Sequence, residues 1–363
     1  MPSLASFNAF VKATGIKIAT DPNRIINDAT KNTYMIGRML KGRDASLSVQ
    51  SGQKIRQNVQ LSNSGTAVFY HPNEALDIQN VDNLTSIEVD WRFLADHYSY
   101  TEEEITLNSG DPQTFYTNLL KAKRQACETS IFNKMEDALW AAPSNSSMEL
   151  SSGKLPYSIP TFITSDGLAP SGFTTLETVN PSTESGWRNQ VESYDPSNVT
   201  DTQTGLVNAM DSMWHKVNFV APMGGPREYF ENDQLQKMVI ASNLDGVKLL
   251  QRLTRDSNDR LVPANNLGWT AGNVSYAGLP VEYVSTLNDA LVNNGAVMTA
   301  GQPFFYYVNL MYLFPIFHNI KYMSEKEPIP ALPHQPFSMV VWKNLYYNMF
   351  CASRRRLGII VPA

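Results

Sequence analysis

The stretch from Asp111 to Ala142, DPQTFYTNLLKAKRQACETSIFNKMEDALWAA, decides how the chain is read. Its pattern predicts one long helix. Asp111 is a good N-cap residue, and Pro112 stands at the first helical position, where a missing N–H costs nothing. The interior has neither glycine nor a second proline until Ala141-Ala142-Pro143 closes the run. Roughly 30 residues at about 1.5 Å each make a rod of about 45 Å. That is well over twice the usual helix of about 11–12 residues. Tyr116, Leu120, Cys127, Ile131, Met135 and Ala138 share one face, and Phe115, Leu119, Ala122 and Ala126 the adjoining one. Arg124 and Glu128 stand at i,i+4 on the polar side. So wide an apolar stripe needs a long sheet or a neighbouring chain to cover it.

A chain of 363 residues can bury a large core. Apolar residues make up 42%, as in a globular protein, but charged residues only 17%, below the usual value of about 25%. Asn, Ser, Thr and Gln replace them. Such a surface is cheaper to bury against another protein than a Lys/Glu surface, which suits extensive subunit contacts as well as a merely charge-poor globule. The net charge of −5 gives no global grip on nucleic acid or on an anionic membrane. Two cysteines, Cys127 and Cys351, exclude a disulfide framework and suit synthesis in a reducing cytoplasm. Met1 to Phe10 lack the pattern of a signal peptide. Phe304 to Phe317, the most apolar segment, is broken by Asn309 and Pro315 and is too short for a membrane helix.

Before the long helix, residues 1–46 read as an arm, with a helix from Asp21-Pro22 that Gly37 and Gly42 break. Residues 47–95 are strand-rich. Ile55, Gln57, Val59 and Leu61 alternate with Arg56, Asn58 and Gln60. Ser62-Asn63-Ser64-Gly65 is a turn signal, and Thr66 to Tyr70 is the expected return strand. Polar residues dominate both, so this hairpin should lie on something else. A further strand alternates Ile87, Val89, Trp91 and Phe93 with Glu88, Asp90 and Arg92. An extended stretch through Glu102-Glu103-Glu104 and Ile105 leads to Asn108-Ser109-Gly110.

After the helix, residues 143–204 turn rich in Ser, Pro, Gly and Thr, a connection with a firmer island at Trp187-Arg188-Asn189. Leu206, Met210, Met213 and Trp214 restart a helix, and Asn232 to Asn243 suggests another. Val274 to Val284 reads as a bent strand, and Phe304–Phe317 and Phe337–Arg355 as long apolar strands. Distant segments must pair to make these sheets, so the class is α+β with high contact order.

Taken in order, these pieces resemble the major capsid protein of tailed bacteriophages with the HK97-type fold. The resemblance rests on Ile87-Glu88-Val89-Asp90-Trp91-Arg92-Phe93, Glu103-Glu104-Ile105, Asn108-Ser109-Gly110 and Met135-Glu136-Asp137-Ala138-Leu139-Trp140. It continues through Tyr276-Ala277-Gly278-Leu279-Pro280-Val281, Phe304 to Asn309, Leu313 to His318 and Cys351-Ala352-Ser353-Arg354-Arg355-Arg356. It implies an arm (1–46), an E-loop with its flanking strand (47–95), a P domain with its spine helix (96–144), an A domain (145–303), a return to the P domain (304–345) and a C-terminal strand in the A domain (346–363). It also implies hexamers and pentamers of a shell around double-stranded DNA, a portal and decoration proteins. The chain begins at the arm, so a separately encoded scaffolding protein is expected.

No phosphate loop, dinucleotide fingerprint or nucleophile elbow occurs. His71, His97, His215, His318 and His334 are scattered without metal-ligand spacing. Catalytic, cofactor and metal sites are therefore not expected. Glu102, Glu103 and Glu104 would point to alternating faces of an extended segment, which suits a contact strip better than the acid pair of a glycosidase. Cys127, one turn from Arg124, is read as a packing residue rather than an activated thiol. Arg354, Arg355 and Arg356 suit packaged DNA, touched without sequence preference, a neighbour's carboxylates, or equally a solvated sheet edge. The expected intersubunit contacts are Arg56, Asn58, Asn63, Tyr70, Glu102, Glu103, Glu104, Arg354, Arg355 and Arg356. The leading function is a capsid subunit of the virion. The alternatives are a carbohydrate-active enzyme and a virion or cell-surface binding protein.

Overall fold

The computed structural model describes residues 35–41, 48–49, 52–61, 65–72, 84–107, 112–148, 153–196, 205–217, 238–258, 267–270, 273–288, 291–293, 296–298, 302–330 and 337–363. The arm before Met35, the turn residues 62–64 and the expected N-cap Asp111 lie outside them. The helices are α1 (Met35–Lys41), α2 (Glu102–Leu107), α3 (Pro112–Leu139), α4 (Asn145–Met148), α5 (Ile159–Phe162), α6 (Leu206–Val217) and α7 (Leu244–Asn258). The first strands are β1 (Ser48–Val49), β2 (Lys54–Gln60), β3 (Leu84–Asp90), β4 (Arg92–Thr101), β5 (Gln190–Tyr194) and β6 (Met238–Ser242). Then come β7 (Leu267–Thr270), β8 (Asn273–Tyr276), β9 (Leu279–Tyr283) and a small hairpin of β10 (Leu291–Asn293) and β11 (Ala296–Met298). The last are β12 (Phe305–Asn309), β13 (Leu313–His318), β14 (Ser324–Glu325), β15 (Ile329–Pro330), β16 (Ser338–Cys351) and β17 (Gly358–Pro362).

The expected long helix is α3, with 28 residues and a length of about 42 Å. Leu120, Cys127, Ile131, Met135 and Ala138 on its predicted face are all buried. The adjoining face differs from expectation: Ala122 is half-buried and Ala126 is exposed. The cover on α3 is one-sided, so its stripe is narrower than its composition suggests.

A six-stranded sheet built around β16 supplies that cover. β4 follows one edge of β16, from Ser338↔Thr101 to Tyr347↔Arg92. β13, β14 and β15 share the other edge, and β1 extends β13 in parallel. Val341, Lys343, Leu345 and Tyr347 point inward with Tyr98 and Tyr100 of β4. Lys343 meets Glu128 of α3 and lies 3.4 Å from Glu325 of β14, while Arg124 of α3 reaches Glu325 at 2.9 Å. Two cations and two anions thus tie the helix to two strands. The Arg124–Glu128 pair read from the sequence is the longer member of this network, at 3.6 Å.

The second sheet has seven strands in the order β5-β17-β12-β6-β9-β8-β7. Both of its faces are buried. Phe305 and Tyr307 of β12 join Ile240, Ile360, Met210, Met213 and Leu250 in one core under α6 and α7. Tyr306 and Val308 join Val239, Ala241 and Ile359 in a larger core that also holds Ile131 and Met135 of α3. Gly358 lets β17 approach α6, since a Cβ there would stand 2.3 Å from Met213 Sδ.

Several sequence expectations change here. Residues 238–242, expected to be helical, form β6; a strand buried on both faces reads as a continuous apolar run and loses its alternation. The expected bend in 274–284 is a hairpin turn, Ala277-Gly278, with φ of 49° and 79°, the signs a type I′ turn requires. Phe305–Asn309 belongs to the seven-stranded sheet, so the chain returns to the six-stranded one at Leu313 rather than at 304. β16 stays in the six-stranded sheet to Cys351, and only β17 of the 346–363 segment joins the other sheet. Gly37 lies inside α1 instead of ending a helix. There the buried carboxylate of Glu136 accepts from the backbone N–H groups of Met35 and Ile36, at 3.3 and 3.0 Å, and anchors α1 on α3. Among the described residues no helix is long and apolar enough to cross a membrane.

Candidate assembly surfaces

β2 and β3 form the hairpin, with seven pairs from Lys54↔Asp90 to Gln60↔Leu84. The return strand is therefore 84–90, not Thr66–Tyr70. Register follows the buried face, and Ile87 and Val89 match buried Ile55 where Thr66–Tyr70 would not. The hairpin is also better anchored on its own subunit than its polar sequence suggests. Ile55, Ile87 and Val89 enter the main core, with Val59 and Leu61 packed against it. What stands free is the tip: Val68, Phe69 and Tyr70 are 64%, 107% and 66% exposed.

A tight turn holds the hairpin at its side, along β3. Leu176 and Val179 exchange backbone hydrogen bonds of 2.8 and 2.9 Å across Glu177 and Thr178, whose φ values are 53° and 73°. Two successive non-glycine residues in this region are costly, at about 1–3 kcal/mol each. The surroundings hold them there. Glu88 N–H of β3 donates to Glu177 O at 3.3 Å, and Thr178 Oγ1 donates to Ser86 O at 2.9 Å. Glu177 Oε1 accepts from Cys351 N–H at 2.8 Å, whereas its buried Oε2 has no partner. Burial pushes the Glu177 carboxyl well above the usual range, opposed by the Cys351 N–H and by the nearby charge of Arg354.

The arginine cluster is not a strand but a single 3-10 turn. Arg354 is wholly buried and donates to Phe162 O, Trp187 O, Leu168 O and Asn189 Oδ1, at 2.8 to 3.1 Å. Burial lowers its pKa to about 10, so it stays charged at neutral pH. Its guanidinium is spent on its own chain, which removes it from the expected contacts. Arg356 is also buried and lies 5.2 Å from the Tyr312 ring centre. Arg355 alone of the three is exposed.

The acidic triplet is not extended either. Thr101 and Glu104 form a capping box: Glu104 N–H donates to Thr101 Oγ1 at 3.2 Å and Thr101 N–H to Glu104 Oε2 at 3.3 Å. Thr-x-x-Glu was legible and points to a helix start, which α2 is. Glu104 also holds Lys123 at 2.7 Å, and that hydrogen bond lowers its pKa. Glu102 and Glu103 are exposed. Arg56 pairs with Glu88 inside the hairpin, Asn58 is exposed, and Asn63 lies outside the described residues.

One surface was missed at the sequence level. The outward side of β4 and β16 carries Phe93 against Tyr346, with ring centres 4.5 Å apart, and His97 against Trp342, at 4.8 Å. Phe93 is 67% exposed and Trp342 37%. Only the pairing register puts these rings side by side. On α3's other flank a groove of about 560 Å³ opens between the helix and β4, with Ala126, Ser130, Lys134, Asp96 and Asp137 along it. The Cys127 thiol beside it is raised to about 12, first by burial and then by Asp96, which makes it a packing residue. Among the described residues no three His, Cys, Asp or Glu side chains gather as a metal site.

No family model and no curated protein matches this chain. Solved structures do. A chain of the cyanophage A-1(L) capsid asymmetric unit is similar with a TM-score of 0.57 at 12% identity, over 94% of this chain and 96% of that one. A Mycobacterium phage Bobi structure is similar with a TM-score of 0.50 at 8% identity, over 96% and 98%. At such identities the likeness is one of architecture, and it spans the chain: the molecule has an α+β fold of the HK97 type.

Proposed function

We propose that this chain is the major capsid protein of a tailed bacteriophage, the structural subunit of an icosahedral shell around double-stranded DNA. The observation that carries the reading is a whole-length capsid-type fold that leaves an apolar hairpin tip in solvent. An exposed Val-Phe-Tyr run is a poor surface for a monomer and a good one for a subunit. In this reading the β2–β3 hairpin is the E-loop, α3 with the six-stranded sheet is the P domain, and the seven-stranded sheet is the A domain. The role is structural rather than enzymatic.

The partners follow. Copies of the chain form hexamers and pentamers, closed by symmetry because open heterologous contacts give fibres. Asn58, Tyr70, Glu102, Glu103 and Arg355 are the exposed candidates for contact with neighbours or, for Arg355, with DNA phosphates. Arg56 of β2 is a further candidate in the same hairpin. A separately encoded scaffold, a portal and decoration proteins complete the assembly. Synthesis takes place in the host cytoplasm and the product is the virion shell. The test is to express the chain alone and with its neighbouring genes, then image the purified particles. Shells, or hexameric and pentameric rings, are the expected result. A monodisperse monomer under both conditions overturns the reading.

A further inference from the structure

We infer that the Glu177-Thr178 turn is a proton-operated latch on the β2–β3 hairpin: with the Glu177 carboxyl neutral the turn clasps β3, and with it ionised the turn lets go. The clasp has two points. Glu177 O accepts from Glu88 N–H, and Thr178 Oγ1 donates to Ser86 O. Both lie on the edge of β3 that faces away from β2. The N–H groups of Ile87 and Val89 point the other way, into the β2 ladder. The latch therefore grips the free edge of the hairpin. Ile87 and Val89 stay in the main core with or without it, so release changes how the hairpin is held and not whether the subunit is folded.

The geometry makes the turn two-state. Glu177 and Thr178 are both in the left-handed region, and segments held in such a conformation by their surroundings are where switches are found. The Glu177 side chain runs inward from the turn and is 1% exposed. Its Oε1 has the Cys351 N–H, and its Oε2 has no partner. A neutral acid bears that isolation far better than a charge does. Burial raises the carboxyl well above its usual range, so the neutral form persists well above pH 4.5.

The groups facing the carboxyl do not support the charged form. The Cys351 thiol is itself pushed up by burial and stays neutral. Arg354 is the cation that faces Glu177, but its guanidinium is spent on Phe162 O, Leu168 O, Trp187 O and Asn189 Oδ1, and Asp166 also draws on its charge. On β3, the Glu88 carboxylate is occupied with Arg56 and Lys54. When the Glu177 proton passes to solvent, the carboxylate is drawn toward Arg354 and water, the strained backbone relaxes, and the two bonds to β3 break. The bistable element is thus the turn, and its bias is one proton.

The test is hydrogen exchange of the full-length subunit, followed residue by residue at pH 5 and pH 9 and corrected for the intrinsic rate. Glu88 N–H should lose protection by about tenfold or more at the higher pH, while Ile87 and Val89 N–H keep theirs. In E177Q, which cannot ionise, Glu88 N–H should be protected equally at both. Equal protection of Glu88 N–H at the two pH values in wild type overturns the inference. So does a parallel fall at Ile87, Glu88 and Val89, which would mean that the whole hairpin opens. A fall that persists in E177Q assigns the effect to another group and overturns it too. The wild-type comparison stands by itself if E177Q does not fold.

Discussion

The seven-stranded sheet is covered on both faces along β6 and β12, whereas the six-stranded sheet is covered on both only along β13 and the end of β16, and on one between 338 and 346. Along β12, Phe305, Tyr306, Tyr307 and Val308 are all buried, because α6 and α7 take one side and the main core the other. Along β16, Val341, Lys343 and Leu345 are buried against α3, while Trp342 remains open on the other side. A sheet needs a layer on each apolar face. One half of the molecule has both layers within its own chain. The other lacks one along the 338–346 part of β16. The difference separates residues that fold the subunit from residues that join subunits.

The sharpest way to break this comparison is to truncate one aromatic residue in each sheet. Phe305→Ala removes a fully buried ring, and the expected loss is about 3–5 kcal/mol in urea unfolding of the subunit. Trp342→Ala should cost less than about 1 kcal/mol, as a half-exposed change away from the core does. Similar losses for the two would mean that the outward strip is covered within the subunit, and the distinction would fall.

A second variant tests the junction between the sheets. Arg354 gathers carbonyls from Phe162, Leu168 and Trp187, so it pins the connection 153–187 to the end of β16. Arg354→Met fills much of the same space but orphans buried acceptors, at about 1–3 kcal/mol for each group left unsatisfied. We expect a loss of about 3 kcal/mol in denaturant unfolding. Unchanged stability with normal assembly would return this residue to the contact surface, where the sequence reading had put it.

Glu177 offers a smaller, pH-dependent effect. Its folded pKa lies above the unfolded value, chiefly through burial. The folded state therefore holds a proton that the unfolded chain releases from about pH 4.5 upward. Its contribution is fully present below that pH and is lost as pH rises toward the folded pKa. Glu177→Gln keeps the acceptor for Cys351 N–H and removes the titration. The stability difference between variant and wild type should thus grow in favour of Gln as pH rises, by at most about 1.4 kcal/mol per pH unit. Glu136 and Glu282, also raised by burial, titrate in both proteins and cancel in the difference. A flat difference from pH 4 to 8 would show that the folded and unfolded carboxyls titrate alike and that burial does not raise Glu177.

These residues also show what the sequence could carry. α3 was legible because its helix signals are local: a proline at the start, no glycine within, and apolar residues at helical spacing. β12 and β13 were legible as strands by apolar content, but their separation into different sheets was not, since that depends on partners far along the chain. The burial of Arg354 was hidden for the same reason: its acceptors lie 165 to 192 positions away. The turn at Glu177-Thr178 was hidden because its backbone usually calls for Asn or Gly, and tertiary hydrogen bonds replace that local preference. The capping box at Thr101 is different. Its signal was present, and the preceding strand alternation was carried one element too far.

The smallest expected effect on the subunit is at the hairpin tip, where the effect on assembly is largest. The ladder of β2 and β3 is anchored by Ile55, Ile87 and Val89 in the main core and by the Glu177 turn at its side. Shortening the ladder would disturb that anchoring and confuse folding with function. Replacing residues 65–72 by a Gly-Ser segment of equal length leaves it intact. Thr66 to Tyr70 are exposed, so little burial is lost, and surface changes of this kind fall within about 0.5 kcal/mol. Calorimetry on the soluble subunit should therefore give an unfolding temperature within a few degrees of wild type. Sedimentation of the assembly reaction should show loss of particles, because every subunit loses a donor contact and every neighbour loses the matching one. A variant that unfolds early would place the tip in the subunit core. One that assembles normally would make the tip a bystander and leave the apolar exposure of Val68, Phe69 and Tyr70 without a role in the shell.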